Sequence, residues 1–243
     1  MSLRIACDLD GTLADMDSAL QAEAEKLFGE GVDLRASLRV RVEGQTNAES
    51  PDPVSATPGL RAPGASAAPE GIRLTTRQQR QLWAHVRQVE NFWASLKEVE
   101  PGAVARLSEV AAARGWEVLF ITTRPPSAGD TTQLQSQRWL EANGFALPSV
   151  YVVSGSRGRV ATALTLDAVI DDRPENCLDV ATDSEARPFL LWRDEPQSAP
   201  AGAARLGIDI VFSMAEALAK LEAWDPSPEP RGIVDRVKNA LGI

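Results

Sequence analysis

Apolar and polar positions alternate along this chain in two rhythms. Leu3-Arg4-Ile5-Ala6-Cys7 is a short apolar run that reads as a strand and passes straight into the acidic turn Asp8-Leu9-Asp10. From about Asp15 to Phe28, Met16, Leu20, Ala24 and Leu27 recur near helical spacing, with Asp15 or Asp17 placed to cap. A longer stripe, Leu82, Val86, Val89, Trp93 and Leu96, follows Thr76-Arg77-Gln78-Gln79, which has the form of a capping box. Pro101 opens another helix, with Val104, Leu107 and Ala111 on one face and Gly115 past its end.

Beyond Gly115 the rhythms alternate. The pattern predicts strands at 117–122, 150–153, 168–171, 189–192 and 208–212. Helices are predicted at 130–143, 159–166 and 174–181, and another behind the capping box Ser213-Met214-Ala215-Glu216. Such alternation predicts an α/β fold: a Rossmann-like parallel sheet with helices on both faces and its ligand site beyond the carboxyl ends of the strands.

The stretch 49–71 keeps neither rhythm. Pro51, Pro53, Pro58, Pro63 and Pro69 alternate with Ala, Ser and Gly, which predicts a flexible loop. A structureless loop this long belongs in a peripheral insertion rather than a core. Residues 1–14 and 99–243 are therefore read as the core domain and 15–98 as an insertion after the first strand. From Trp224 to Pro230 a Pro-rich connector leads to a short C-terminal helix.

Composition narrows the chemistry. A length of 243 residues suits one α/β domain with an insertion. The net charge of −9 argues against a broad basic surface for nucleic acid polymers, so any phosphate site must be local. Two cysteines without a C-x-x-C argue against zinc and a disulfide scaffold and fit a reducing compartment. The single histidine, His85, weakens any Ser-His-Asp or Cys-His reading. With no apolar run of membrane-spanning or signal-peptide type, a cytoplasmic protein without membrane association is expected.

Four polar clusters fall at expected carboxyl ends of strands: Asp8 with Asp10, Thr122 with Thr123, the basic loop holding Arg157 and Arg159, and Asp171 with Asp172. In a parallel sheet those ends converge on one crevice. Carboxylates without nearby His or Cys make a hard oxygen site, which suits Mg²⁺. One Asp can attack phosphorus, and a second carboxyl can protonate the leaving alkoxide and then activate water. A metal and a cation must offset charge on the transferring phosphoryl group. Arg124 and Arg173 are rival cations to the loop pair.

Asp8-Leu9-Asp10-Gly11-Thr12, Phe120-Ile121-Thr122-Thr123 and Ile170-Asp171-Asp172-Arg173 resemble the first, second and fourth motifs of the haloacid dehalogenase superfamily of phosphatases. Short runs at Phe92-Trp93, Pro101-Gly102-Ala103, Thr123-Arg124-Pro125 and Asp172-Arg173-Pro174-Glu175-Asn176 are similar to its 5′(3′)-deoxyribonucleotidase-like branch. The resemblance implies a phosphomonoester hydrolase with a helical cap formed by the insertion. It makes Asp8 nucleophile and metal ligand, and Asp10 the general acid/base with its main-chain carbonyl on the metal. Thr122 and Thr123 hold phosphoryl oxygens, Asp171 ligates the metal and Asp172 supports it. At the third motif the family expects a lysine. This loop offers only Arg157 and Arg159, of which Arg157 matches the loop pattern better. Trp83 and Phe92 lie off the apolar stripe and are the expected substrate contacts from the cap, whereas Trp93 is expected in the core. The expected ligand is a small phosphorylated metabolite. A (deoxy)nucleoside monophosphate, a sugar phosphate, and a phosphate-binding protein without turnover remain as alternatives.

Overall fold

The computed structural model describes residues 2–34, 72–200 and 202–224. The Pro-rich loop read at 49–71 and the C-terminal connector and helix expected beyond Trp224 lie outside the described residues. Contacts divide the chain into two compact units, Met1–Met16 with Arg87–Ile243, and Asp17–Val86.

The larger unit is a parallel sheet. Its strands are β1 (Arg4–Asp8), β4 (Glu117–Thr122), β5 (Ser149–Val152), β6 (Ala168–Asp171), β7 (Arg187–Leu191) and β8 (Asp209–Val211). Between them run helices α3 (Ala103–Arg114), α4 (Thr132–Ala142), α5 (Arg157–Ala163) and α6 (Pro174–Asp183), with α7 (Met214–Ala223) after β8. The sheet order is β5-β4-β1-β6-β7-β8 and every pairing is parallel. The chain steps outward from β1 to β4 and β5, then returns to the other side of β1 for β6. That reversal opens a crevice at the carboxyl end of β1, where open α/β sheets bind ligands.

β1 is central, and Ile5, Ala6 and Cys7 are fully buried, as a strand covered on both faces requires. Ala6 packs with Leu119, Ile121 and Val169 of the neighbouring strands and with Ala161 and Val180 of α5 and α6. Elsewhere Phe120 meets Phe145 edge-to-face at 4.8 Å, and burial of one such ring contributes about 1.5–3 kcal/mol. The expected α7 capping box is present: Ser213 Oγ accepts from Glu216 N–H at 3.1 Å.

The smaller unit holds α1 (Met16–Phe28, whose first residue belongs to the larger unit), the short parallel pair β2 (Val32–Asp33) and β3 (Ile72–Arg73), and α2 (Thr76–Val86). Its capping box sits one residue before the expected position. Thr75 Oγ1 accepts from Gln78 N–H at 3.3 Å and Gln78 Oε1 from Thr75 N–H at 3.0 Å. His85 and Lys26 both pair with Glu23, at 2.8 and 2.7 Å. Burial raises the Glu23 pKa, but these hydrogen bonds outweigh it and hold the carboxyl below its ordinary value.

The long stripe read through Leu96 is not one helix. α2 ends at Val86, and Asn91 then turns the chain with φ of 52°, a left-handed conformation Asn tolerates. Asn91 Oδ1 also accepts from Asp130 N–H at 2.9 Å. Phe92–Ala94 form a 3₁₀ turn in the larger unit. Trp93 and Trp139 are buried there, and each indole N–H has a partner: Trp93 donates to the Pro125 carbonyl at 2.9 Å, Trp139 to the Leu96 carbonyl at 2.7 Å. Among the described residues no helix is long and apolar enough to cross a membrane.

Candidate active site

Asp8 closes β1, and the chain turns sharply after it. Gly11 has φ of 85°, and a Cβ there would stand 2.2 Å from Asp172 Oδ2, so only glycine lets the loop lie against that carboxylate. Thr12 Oγ1 donates to Asp172 Oδ1 at 3.3 Å. The loop is fixed from outside by Arg193, which follows β7 and pairs with Glu100. Its Nη2 donates to the Thr12 carbonyl at 2.7 Å and its Nε to the Gly11 carbonyl at 3.3 Å. The sequence reading passed over Arg193, although it too stands just past the carboxyl end of a strand.

Arg157 is the cation that faces Asp8. Ser156 caps α5 with its hydroxyl, so Arg157 is the first helical residue rather than part of the preceding loop. Its side chain is 3% exposed. Nη2 donates to Asp8 Oδ1 at 2.8 Å, and Nε lies 3.6 Å from Asp171 Oδ2. Nε and Nη1 are buried without a hydrogen-bond partner. Arg159, the other candidate, is exposed, and two residues further along the helix it projects about 200° away from Arg157 around the axis.

α5 can take this place because Gly158 lies against α6. A Cβ there would stand 2.1 Å from the Asp179 carbonyl oxygen and 2.6 Å from Asp183 Cβ. Gly158→Ala is expected to destabilise the fold by about 1–3 kcal/mol through overpacking, despite alanine's better helix propensity. It also pushes Arg157 off Asp8. Thermal melting together with phosphate-ester turnover checks both effects; an unshifted melting temperature contradicts the close approach.

β6 ends in Asp171, fully buried, which accepts from Arg173 N–H at 2.9 Å and from Asn176 Nδ2 on both oxygens, at 3.0 and 2.9 Å. β4 ends in Thr122, also fully buried, whose hydroxyl donates to Asp10 Oδ2 at 3.2 Å. Thr123, just past the end of β4, is exposed. Arg173 is exposed and stands 3.8 Å from Glu175, so it serves the α6 terminus. Arg124 is buried and pairs with Asp10. Of the two aromatic contacts expected from the cap, Phe92 lies in the larger unit, 2% exposed and edge-on to Trp93, and offers no face to a ligand. Trp83 is part-exposed in the smaller unit.

Negative charge is crowded here. Burial first, then the charges of Asp171 and Asp172, pushes the Asp8 carboxyl well above the usual range, and Arg157 offsets only part of this. Burial also raises Asp171 against the pull of Arg157 and its own hydrogen bonds. Asp172 is pushed up to about 8 by burial and the neighbouring Asp171. Among the described residues no group of three or more His, Cys, Asp and Glu side chains is arranged to hold a metal ion.

No family model matches the chain, and no curated protein sequence does. Solved structures match over about nine-tenths of its length. A hydrolase from Pseudomonas syringae superposes with a TM-score of 0.52 at 17% identity, over 91% of this chain and 99% of that one. An HAD family hydrolase from Deinococcus radiodurans R1, solved with bound phosphate and sodium, gives 0.52 at 14% identity, over 93% and 99%. This chain has the haloacid dehalogenase-type fold. A beta-phosphoglucomutase candidate from Thermotoga maritima gives 0.50 at 16% identity, over 92% and 99%. The likeness is to the haloacid dehalogenase fold as a whole and does not reach the deoxyribonucleotidase-like branch.

Proposed function

We propose that the protein is a Mg²⁺-dependent phosphomonoester hydrolase that forms an aspartyl-phosphate on Asp8. The observation that carries this reading is the Arg157 guanidinium, buried beside Asp8 with two of its three nitrogens lacking a hydrogen-bond partner. Unsatisfied buried donors are costly unless a ligand completes them. Donors held beside a nucleophile at the carboxyl end of the central strand suit phosphoryl oxygens.

A divalent ion fits the donor set. Asp8, Asp10, Asp171 and Asp172 stand against the buried guanidinium groups of Arg124 and Arg157, leaving an excess of negative charge. The fit is to an ion held by few protein ligands. Mg²⁺ is commonly bound by one or two carboxylates with water and substrate phosphate. Asp8, Asp171 and the Asp10 main-chain carbonyl would hold it, and when bound it offsets charge on the phosphoryl group.

The chain's own groups divide the rest. An Asp8 oxygen attacks phosphorus while Arg157 neutralises equatorial charge. Asp10 gives a proton to the departing alkoxide, and its carboxylate then takes a proton from the water that hydrolyses the aspartyl-phosphate and regenerates Asp8. Thr122, once turned from Asp10, offers its hydroxyl to a phosphoryl oxygen.

The substrate is a small phosphorylated metabolite. With Phe92 buried, the aromatic case for a nucleobase rests on Trp83 alone, so sugar phosphates and nucleoside monophosphates belong in one panel. The test measures phosphate release from such a panel, and from 4-nitrophenyl phosphate, by wild type and Asp8→Asn with Mg²⁺ or EDTA. Release by wild type with Mg²⁺ alone is expected. Phosphate binding without turnover of any ester makes the protein a binder instead.

Mg²⁺ is also expected to stabilise the fold, and more so at high pH. Asp8, Asp171 and Asp172 have folded-state pKa values raised above the unfolded ones. Their contribution is therefore full below the unfolded carboxylate range and is lost as pH rises through the folded values, toward about 8 for Asp172. Mg²⁺ binds the deprotonated groups and reverses that loss. Melting curves with Mg²⁺ and EDTA should separate clearly at pH 8 and converge near pH 5. Equal separation at both contradicts the carboxylate site.

A further inference from the structure

Asp10 is held by a second buried arginine. Arg124 Nε donates to Asp10 Oδ1 at 2.8 Å and Oδ2 at 2.9 Å, and Nη2 lies 2.7 Å from Oδ1. The Arg124 side chain is fully buried, whereas that of Asp10 is 14% exposed. The guanidinium is fixed from two further directions and the Arg124 main chain from a third. Nη1 donates to Ser136 Oγ at 3.0 Å, Cζ lies 5.0 Å over the Trp93 ring, and the Arg124 amide donates to Thr122 Oγ1 at 3.2 Å. That Thr122 hydroxyl in turn donates to Asp10 Oδ2. Ser136 lies on α4, and Trp93 is tied to the same region through its N–H bond to the Pro125 carbonyl and its amide bond to Gln135 Oε1, at 2.9 and 3.0 Å. None of these contacts reaches Asp8, which has its own arginine.

We infer that Arg124 is a positioning residue for Asp10: it sets where the proton-transferring carboxylate stands, while Arg157 serves the nucleophile. The inference rests on the phosphohydrolase reading above. A buried guanidinium locked by α4 and an indole face has one orientation, so the carboxylate it grips has one as well. The two arginines thereby divide the reaction, one on the atom that attacks phosphorus and the other on the group that moves protons.

The division is testable because a good leaving group needs no proton. With 4-nitrophenyl phosphate, Arg124→Met should still release one 4-nitrophenolate per site in a rapid burst, since Asp8 and Arg157 are intact. Hydrolysis of the aspartyl-phosphate then needs Asp10 as base. Steady-state turnover should fall roughly 10²-fold, the lower end for losing a general acid–base, and phosphorylated protein should accumulate. With a primary alkyl phosphate the first step itself should be slow and the burst absent. Arg124→Lys, which keeps the charge without the planar fork, should fall between wild type and Arg124→Met, and it stands in should the methionine variant fail to fold.

Wild-type turnover in Arg124→Met overturns the assignment. So does an equal loss of burst and turnover in variants with normal melting curves, which would place Arg124 on the nucleophilic step. If wild type hydrolyses no ester, the phosphohydrolase reading fails separately, and the crystal structure of Arg124→Met decides on positioning. Displacement of the Asp10 carboxylate from its wild-type place supports the role, and an unmoved carboxylate ends it.

Discussion

Asp8→Asn is expected to lower Mg²⁺-dependent phosphate release by on the order of 10⁴–10⁶-fold, the range for deleting a covalent nucleophile. The change is nearly isosteric. The amide oxygen can still accept from Arg157 Nη2, which sits at 2.8 Å in the native protein, so the guanidinium keeps its place. What is lost is the anionic oxygen able to attack phosphorus. Stability should not follow activity downward. Asp8 is buried among carboxylates that repel its charge, so removing one negative charge relieves the metal-free protein at alkaline pH. The expected pair of results is loss of turnover with a melting temperature in EDTA at pH 8 at or above that of wild type. Retained turnover shows that another group attacks phosphorus. A collapsed melting curve shows that Asp8 holds the crevice together instead.

Much of this site was legible because a parallel sheet turns sequence order into position. Apolar runs ending in Asp8, Thr122 and Asp171 required those side chains at one edge, and the reversal in strand order around β1 brings them into one crevice. Spacing alone could not say what breaks a helix. Trp93 and Leu96 continue the apolar stripe of α2, yet the helix ends at Val86 and the left-handed Asn91 turns the chain, so both lie in the larger unit. Burial, not helical phase, put them on a stripe, and Phe92 is buried for the same reason. The choice between Arg157 and Arg159 turned on where α5 begins. Ser156 as a cap marks that start one residue before Arg157, a signal in the sequence that a helix drawn from Arg159 ignores. What Arg193 and Arg124 touch was beyond reach for another reason. Both depend on which loops meet across the crevice, and no periodicity encodes that.

Arg157→Met should lower kcat/KM by about 10³-fold, the upper range for losing one preorganised charge donor at a reacting centre. Methionine fills similar space and leaves the nucleophile in place, so the loss falls on stabilisation of the phosphoryl group rather than on covalent capacity. Stability should change with pH in a way that identifies the cause. In the native protein the guanidinium sits 2.8 Å from Asp8 and 3.6 Å from Asp171. Removing one partner of a buried ion pair destabilises by about 3–5 kcal/mol when the remaining charge must stay ionised. Asp8 and Asp171 already have raised pKa values, and without Arg157 both rise further. The variant therefore matches wild type below the unfolded carboxylate range, where all carboxyls are neutral, and falls increasingly behind as pH rises. Arg157→Lys, the residue the superfamily resemblance led one to expect, restores a point charge but cannot span Asp8 and Asp171 with separate nitrogens. It should recover part of the activity and part of the alkaline stability. Denaturant unfolding at pH 5 and pH 8, beside steady-state kinetics, measures both. A deficit independent of pH would mean that Arg157 packs α5 rather than neutralising the site.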